Sequence, residues 1–286
     1  MQAVSDFLSG LQKYNFLQSA LIAALLVGIM AGLIGCFIIL RGMSLMGDAI
    51  SHSVLPGVAV AHILGINLLL GASAFGILAA LIIGLIADKS KLKTDTSIGI
   101  VFSAFYALGF ILIAQAESTA NLHHILFGNV LAVSGTDLKS TVLVAAGVIL
   151  FIVVFYKELL ISSFDKVYAQ TYGINTRLIH YALMLLLTLV TVSALQTVGI
   201  ILVVAMLITP AATAFLWTNS LPKMLILAAF FGALAAFVGL FFSYTFNWAS
   251  GPAIVLVSAS LFLITFLLAP KQGWFSLKKK GVTSKC

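Results

Sequence analysis

Asp48 and His52 lie four residues apart in the stretch "GDAISHSVLPG" (47–57), with long apolar runs on either side. On a helix, positions i and i+4 share one face. A carboxylate oxygen and a neutral imidazole nitrogen presented together are a ligand pair for a borderline divalent cation such as manganese, iron or zinc. Two ligands do not complete a coordination shell. If a second copy of the chain met this helix at a two-fold axis, the pair would become two Asp and two His. Its two negative charges would then balance a divalent ion. The same residues also have a local reading, in which Asp48 caps a helix start or pairs with Arg41 and His52 bonds a backbone carbonyl. Ser44, Ser51 and Ser53 could bond in the same local way. Pro56-Gly57, a turn later, argues against it. A discontinuous helix exposes backbone groups, which a membrane tolerates only inside protein or along a cavity.

Other polar side chains are weaker candidates. His123 and His124 are adjacent, so they point in different directions and read as surface residues; Glu117 and Asp137 flank the same segment as solvated loop charges or an acidic rim. His62 lies beyond the proline and is expected to face a neighbouring helix, and His180 opens a span at its border. Met206 is expected to be packing rather than a soft ligand. Thr209-Pro210 is a second candidate helix break. There is no GxxxxGK[ST], so the chain has no P-loop for ATP. Neither HExxH nor G-x-S-x-G occurs, and no nucleophile is paired with a base, so the chain reads as no enzyme.

The elements that hold these residues are membrane helices. Of 286 residues, 62% are hydrophobic and only 8% charged, and the mean hydropathy is +1.19. A soluble domain carries about a quarter of its residues as charges. A transmembrane helix needs roughly 20 predominantly apolar residues. Apolar segments run approximately over 16–40, 54–66, 68–87, 97–115, 138–156, 179–195, 198–217, 224–246 and 252–269. The segment 54–66 is short unless it is part of a helix that begins near Met43 and breaks near Pro56. The segments 179–195 and 198–217 are nearly continuous. The fold class is therefore an all-α polytopic membrane protein, a single domain over 1–286 with about 8–9 transmembrane helices. Frequent Gly within the runs suits close helix packing.

Charge sets the orientation. The net charge of +7 comes from 15 Lys and Arg gathered at the ends of apolar runs, a membrane pattern that implies no nucleic acid. "DKSKLKTD" (88–95), the segment 157–177 and the tail "LKKKGVTSK" are basic, so all three are expected on the cytoplasmic side with the C-terminus. The region 116–136 then faces outward. Cys36 and Cys286 form no disulfide framework or zinc spacing. The first twenty residues lack the pattern of a signal peptide, so the first span is expected to serve as its own insertion signal. The polar stretch 162–178, "SSFDKVYAQTYGINTRL", reads as a short helix. Asp165 favours its start and Gly173 stops it. It is either a plain connector or a docking element.

"RGMSLMGDAISHSVLPGV" (41–58) closely resembles the signature of permease subunits of bacterial ATP-binding-cassette importers for manganese, zinc and iron. "TDTSIGIVFSAFYALG" (94–109), "HILFGNVLAVSGTDL" (124–138), "FDKVYAQTYGI" (164–174) and "VGIILVVAMLITPAATA" (198–214) resemble further blocks of that family, in its order. The resemblance implies a homodimeric permease in the bacterial cell membrane. It implies two cytoplasmic ATPase subunits, and a metal-binding lipoprotein or periplasmic protein that delivers the ion from outside. No cofactor is bound permanently; the divalent metal is cargo, with the first block closest to the manganese branch. Asp48 and His52 match the positions proposed to coordinate or gate the ion. Asp165, Ala169 and Gly173 match the cytoplasmic coupling helix that seats in the ATPase. A proton- or sodium-coupled secondary transporter, with Asp48 and His52 as a relay, is the alternative.

Overall fold

The computed structural model describes residues 2–115, 130 and 133–269. Among them every regular element is helical. An amphipathic helix α1 (Gln2–Lys13) leads into α2 (Asn15–Leu40), followed by α3 (Met46–Ser53), α4 (Leu55–Leu64), α5 (Leu68–Lys89) and α6 (Thr94–Gln115). After 116–134, α7 (Gly135–Val154), α8 (Tyr156–Phe164), α9 (Lys166–Thr171) and α10 (Thr176–Val198) follow. The last helices among the described residues are α11 (Ile200–Trp217), α12 (Leu221–Phe246) and α13 (Ser250–Leu268). Seven of these, α2, α5, α6, α7, α10, α12 and α13, are long and apolar enough to cross a membrane; α11 is apolar but shorter.

The helices start where the sequence supplies caps. Asn67 accepts from the Leu69 N–H, Ser134 from that of Asp137, and Asn175 from that of Leu178, each satisfying an orphan donor of a first turn. The reading of 138–156 as one segment is corrected at Phe155, where α7 ends and α8 begins. The near-continuous 179–217 is divided at Gly199, which stands between α10 and α11. Pro210 does not break α11. It lies inside that helix, and the Thr213 hydroxyl donates to the Thr209 carbonyl at 2.7 Å.

Between membrane helices there is little hydrophobic driving force, so close approach and dispersion must hold the bundle together. The α2–α12 contact, the most extensive in the fold, shows how. A Cβ on Gly28 would stand 2.5 Å from the Gly232 carbonyl oxygen, and one on Gly32 2.7 Å from that of Ala228. The two backbones touch in antiparallel register, as "small-xxx-small" spacing permits. α11 and α13 complete this half of the bundle, with α1 against α2 and α12. Phe7 of α1 is buried edge-on among Phe237, Phe241 and Tyr244. In the second half, α3 and α4 pack on α5 and α6, and α10 bridges to α2.

Three long-range side-chain bonds tie the ends together. Arg41 reaches Ser162 and Ser163, and the Tyr181 hydroxyl donates to Asp88 at 3.3 Å. The C-terminal ends of α2 and α5, the segment α8–α9 and the start of α10 therefore gather at one end of the bundle. α1 lies at the other, on the far end of α2.

Candidate functional site

Asp48 sits in the first turn of α3 and His52 in its last turn. The expected break near Pro56 is slight. Val54 separates α3 from α4 but keeps helical dihedrals (φ −74°, ψ −24°), and its N–H still donates to the Ile50 carbonyl at 3.1 Å. Pro56 has no N–H and occupies the first turn of α4, where none is needed. The pair thus rides on a nearly continuous helical path, not beside an unwound stretch.

His52 Nε2 lies 3.4 Å from Asp48 Oδ1, so the two polar ends point to one spot, as the i, i+4 spacing requires. The geometry suits a shared cation. With metal–ligand distances of about 2.1 Å, two ligands stand about 3.0 Å apart at a right angle and about 3.4 Å apart at the tetrahedral angle. The Asp48 side chain is 44% exposed and that of His52 24%, so the spot opens outward from the single chain. No cluster of three or more His, Cys, Asp or Glu side chains fit to hold a metal occurs among the described residues. One chain therefore brings two candidate ligands together, with no third among the described residues.

Asp48 pairs with His52 and not with Arg41, and Leu45, not Asp48, precedes the helix start. Both parts of the local reading of Asp48 are overturned. Ser51 does bond locally, its hydroxyl donating to the Gly47 carbonyl at 2.8 Å; Ser53 is buried with its hydroxyl unpartnered.

α6 supplies what the sequence reading overlooked. The rings of Phe102 and Tyr106 meet the His52 imidazole edge-to-face at 5.5 Å and 5.1 Å, and they stack on each other. The Nδ1 of the ring is buried without a hydrogen-bond partner. Nε2 is left as the nitrogen facing Asp48. Both residues fall in "TDTSIGIVFSAFYALG", where i, i+4 aromatics were the available signal. Gly47 lets α3 press on α11, since a Cβ there would meet Leu207 Cδ1 at 2.8 Å.

The remaining candidates stay apart from this site. His62 is exposed at the end of α4, contrary to the expectation that it faces a neighbouring helix. His180 lies in the first turns of α10 with Nδ1 buried and unpartnered. Asp137 and Ser134 bond reciprocally at the start of α7, an ordinary cap. Met206 is buried packing. His123, His124, Glu117 and the basic tail with Cys286 lie outside the described residues.

The polar stretch 162–178 holds a short helix, with Asp165 at its start and Gly173 at its end. Asp165 caps α9, accepting from the Val167 and Tyr168 N–H groups at 2.9 Å each, and Gly173 closes it at φ +80°. Ala169 is fully buried and anchors α9 to the body of the protein. The face turned outward carries Phe164, Val167, Tyr168 and Tyr172, all strongly exposed. Arg41, beside this element, donates from Nη2 to Ser162 Oγ at 2.9 Å and from Nε to Ser163 Oγ at 3.3 Å. Burial lowers its pKa to about 10, which still leaves it charged at neutral pH.

Comparison with known proteins places the chain in a family. Residues 13–269 match the model of the ABC 3 transport family. The manganese transport system membrane protein MntC of Listeria innocua is 64% identical over 276 residues, covering 96% of this chain and 99% of the relative. The manganese import system permease protein ScaB of Streptococcus parasanguinis is 56% identical over 269 residues, 94% of this chain and 96% of the relative. Among solved structures, PsaBC from Streptococcus pneumoniae in complex with Fab superposes with a TM-score of 0.87 at 57% identity, covering 96% of this chain and 99% of that one. The pair on α3, the helical bundle and the capped α9 all lie within the matched residues, and the chain belongs to the ABC 3 transport family.

Proposed function

We propose that the chain is the membrane-spanning permease subunit of an ATP-driven importer that carries manganese into a bacterial cell. The observation that carries this reading is the convergence of Asp48 Oδ1 and His52 Nε2 at a metal-bridging separation, in a chain so close to relatives named for manganese transport. The pair is half a site, and a second copy of the chain across a two-fold axis supplies the other half. Four ligands with two negative charges then meet the ion on the central route.

Transport needs a site that releases its ion, so open bidentate halves serve better than a closed cage. An extracytoplasmic metal-binding lipoprotein or periplasmic protein delivers the ion, and two cytoplasmic ATPase subunits seat on the outward face of α9. The C-terminus lies on that same cytoplasmic side. ATP binding closes the ATPase pair, α9 passes the movement on, and the two permease halves rock about the route. Carboxylate and imidazole also serve iron and zinc, whose affinities follow the metal more than the site. Manganese is chosen here by the relatives and not by the ligands. A proton- or sodium-driven mechanism gains no support from the family match and leaves the capped α9 without a role.

The test is uptake of radiolabelled manganese by cells making the whole transporter, in competition with unlabelled zinc or iron. We expect accumulation to stop on ATP depletion, to survive collapse of the proton gradient, and to resist a tenfold excess of zinc. Accumulation that tracks the proton gradient, or that zinc abolishes at equal concentration, would overturn the mechanism or the metal respectively.

A further inference from the structure

We infer that Arg41 is a positioning residue that ties the ATPase-docking element to the helix carrying Asp48 and His52. The inference rests on reading α9 as the docking element. Arg41 ends α2, and the loop 41–45 leads from it straight into α3. Its guanidinium reaches across more than a hundred residues of sequence to two adjacent hydroxyls at the end of α8, Ser162 at 2.9 Å and Ser163 at 3.3 Å. Asp165, two residues further on, caps α9. One side chain thus spans from the root of the docking helix to the root of the ion helix.

Both ends of this strut are stiff. On the α2 side, Gly42 takes φ +66°, the Met43 N–H donates to the Ile38 carbonyl at 3.0 Å and the Gly42 N–H to that of Ile39 at 3.1 Å. That is the double closure of a Schellman ending, completed by the buried side chains of Met43 and Ile38. The Met46 N–H then donates to the Met43 carbonyl at 2.9 Å, which fastens the loop to the start of α3. On the other side Ser162 is buried and its hydroxyl donates to the Leu159 carbonyl at 3.4 Å. A displacement of α8 and α9 has no slack to absorb it before it reaches α3.

The chemistry of the joint supports a role beyond holding shape. Among the described residues no carboxylate lies within ion-pair distance of Arg41, so the cation is held by neutral hydroxyls alone. A merely structural contact at this partly buried spot would be met more simply by an apolar side chain, because desolvating a charge without a counter-ion is costly. Two hydroxyls give directional bonds that a sliding apolar contact lacks.

The test uses the complete transporter, with its ATPase and binding protein, in vesicles, and reads metal transported per ATP hydrolysed together with the ATPase retained on purification. Arg41→Met should keep the ATPase bound and hydrolysis running while lowering metal per ATP at least tenfold. Arg41→Lys, which keeps the charge and reaches one hydroxyl, should recover the ratio to within about threefold. Ser162→Ala with Ser163→Ala should reproduce the loss seen in Arg41→Met. A wild-type ratio in Arg41→Met, or in the double serine variant, overturns the inference. A Lys variant no better than Met overturns it too. If Arg41→Met does not assemble, the serine variant alone decides. If the wild-type chain itself retains no ATPase, the reading of α9 fails first, an outcome distinct from intact assembly with intact coupling.

Discussion

At the scale of the residue, the proposed half-site turns on one histidine ring. The i, i+4 spacing was enough to place Asp48 and His52 together, but not to say which imidazole nitrogen is offered. Phe102 and Tyr106 flank the ring from α6, and Nε2 stands 3.4 Å from Asp48 Oδ1. Residues that orient a metal ligand without touching the metal are typically worth 10–100-fold in affinity. An edge-to-face contact without a hydrogen bond belongs at the low end of that range. Tyr106→Ala is therefore expected to weaken manganese binding to the purified permease by roughly tenfold, read by titration calorimetry, with the fold intact by circular dichroism. An unchanged affinity would mean that α6 packs beside the pair without orienting it. These aromatics escaped the sequence reading because α6 is apolar all round. A helix of that kind has no polar face from which to infer which side meets the site.

At the scale of the element, α9, the proposed docking helix, shows how little is needed to specify a short helix. Six residues cannot sustain a helix unaided. The Asp165 cap, the Gly173 stop and the buried Ala169 hold it from three sides. Losing an N-cap costs about 1 kcal/mol, a factor of roughly five in the population of the ordered form. Asp165→Ala should lower ATPase retention on purification by about that factor, and Asp165→Asn or Asp165→Ser, which still cap, should restore it. Retention unchanged in the Ala variant would show that the ATPase orders α9 for itself. The cap and stop of this element were legible because Asp and Gly act on their own backbone. Most spans were legible from hydropathy for a similar reason, since lipid reads each segment separately. What could not be read were the features that depend on distant partners. The mild bend at Val54 is one, because a proline in the first turn of a following helix does not force a break. The others are the boundary at Phe155, the burial of Phe7 of α1 against α12, and the bridge from Arg41 to Ser162.

At the scale of the whole molecule, the bundle carries the Asp48–His52 pair on α3 and the exposed face of α9 at its end. Gly-mediated backbone contact between α2 and α12 gives one rigid half. In the other, α3 is clasped among α5, α6, α10 and α11, so the ion helix cannot move without them. Such a body is suited to rocking as a unit against a second copy. That arrangement would bring two Asp48–His52 pairs to one axis, where neither chain alone holds a metal firmly. The most direct measurement is ATP-driven manganese uptake into vesicles containing the assembled transporter, comparing the wild-type chain with Asp48→Ala and His52→Ala. Both variants should assemble with the ATPase and lose uptake by at least a hundredfold. Wild-type uptake in either variant would contradict the assignment of this pair to the ion's path.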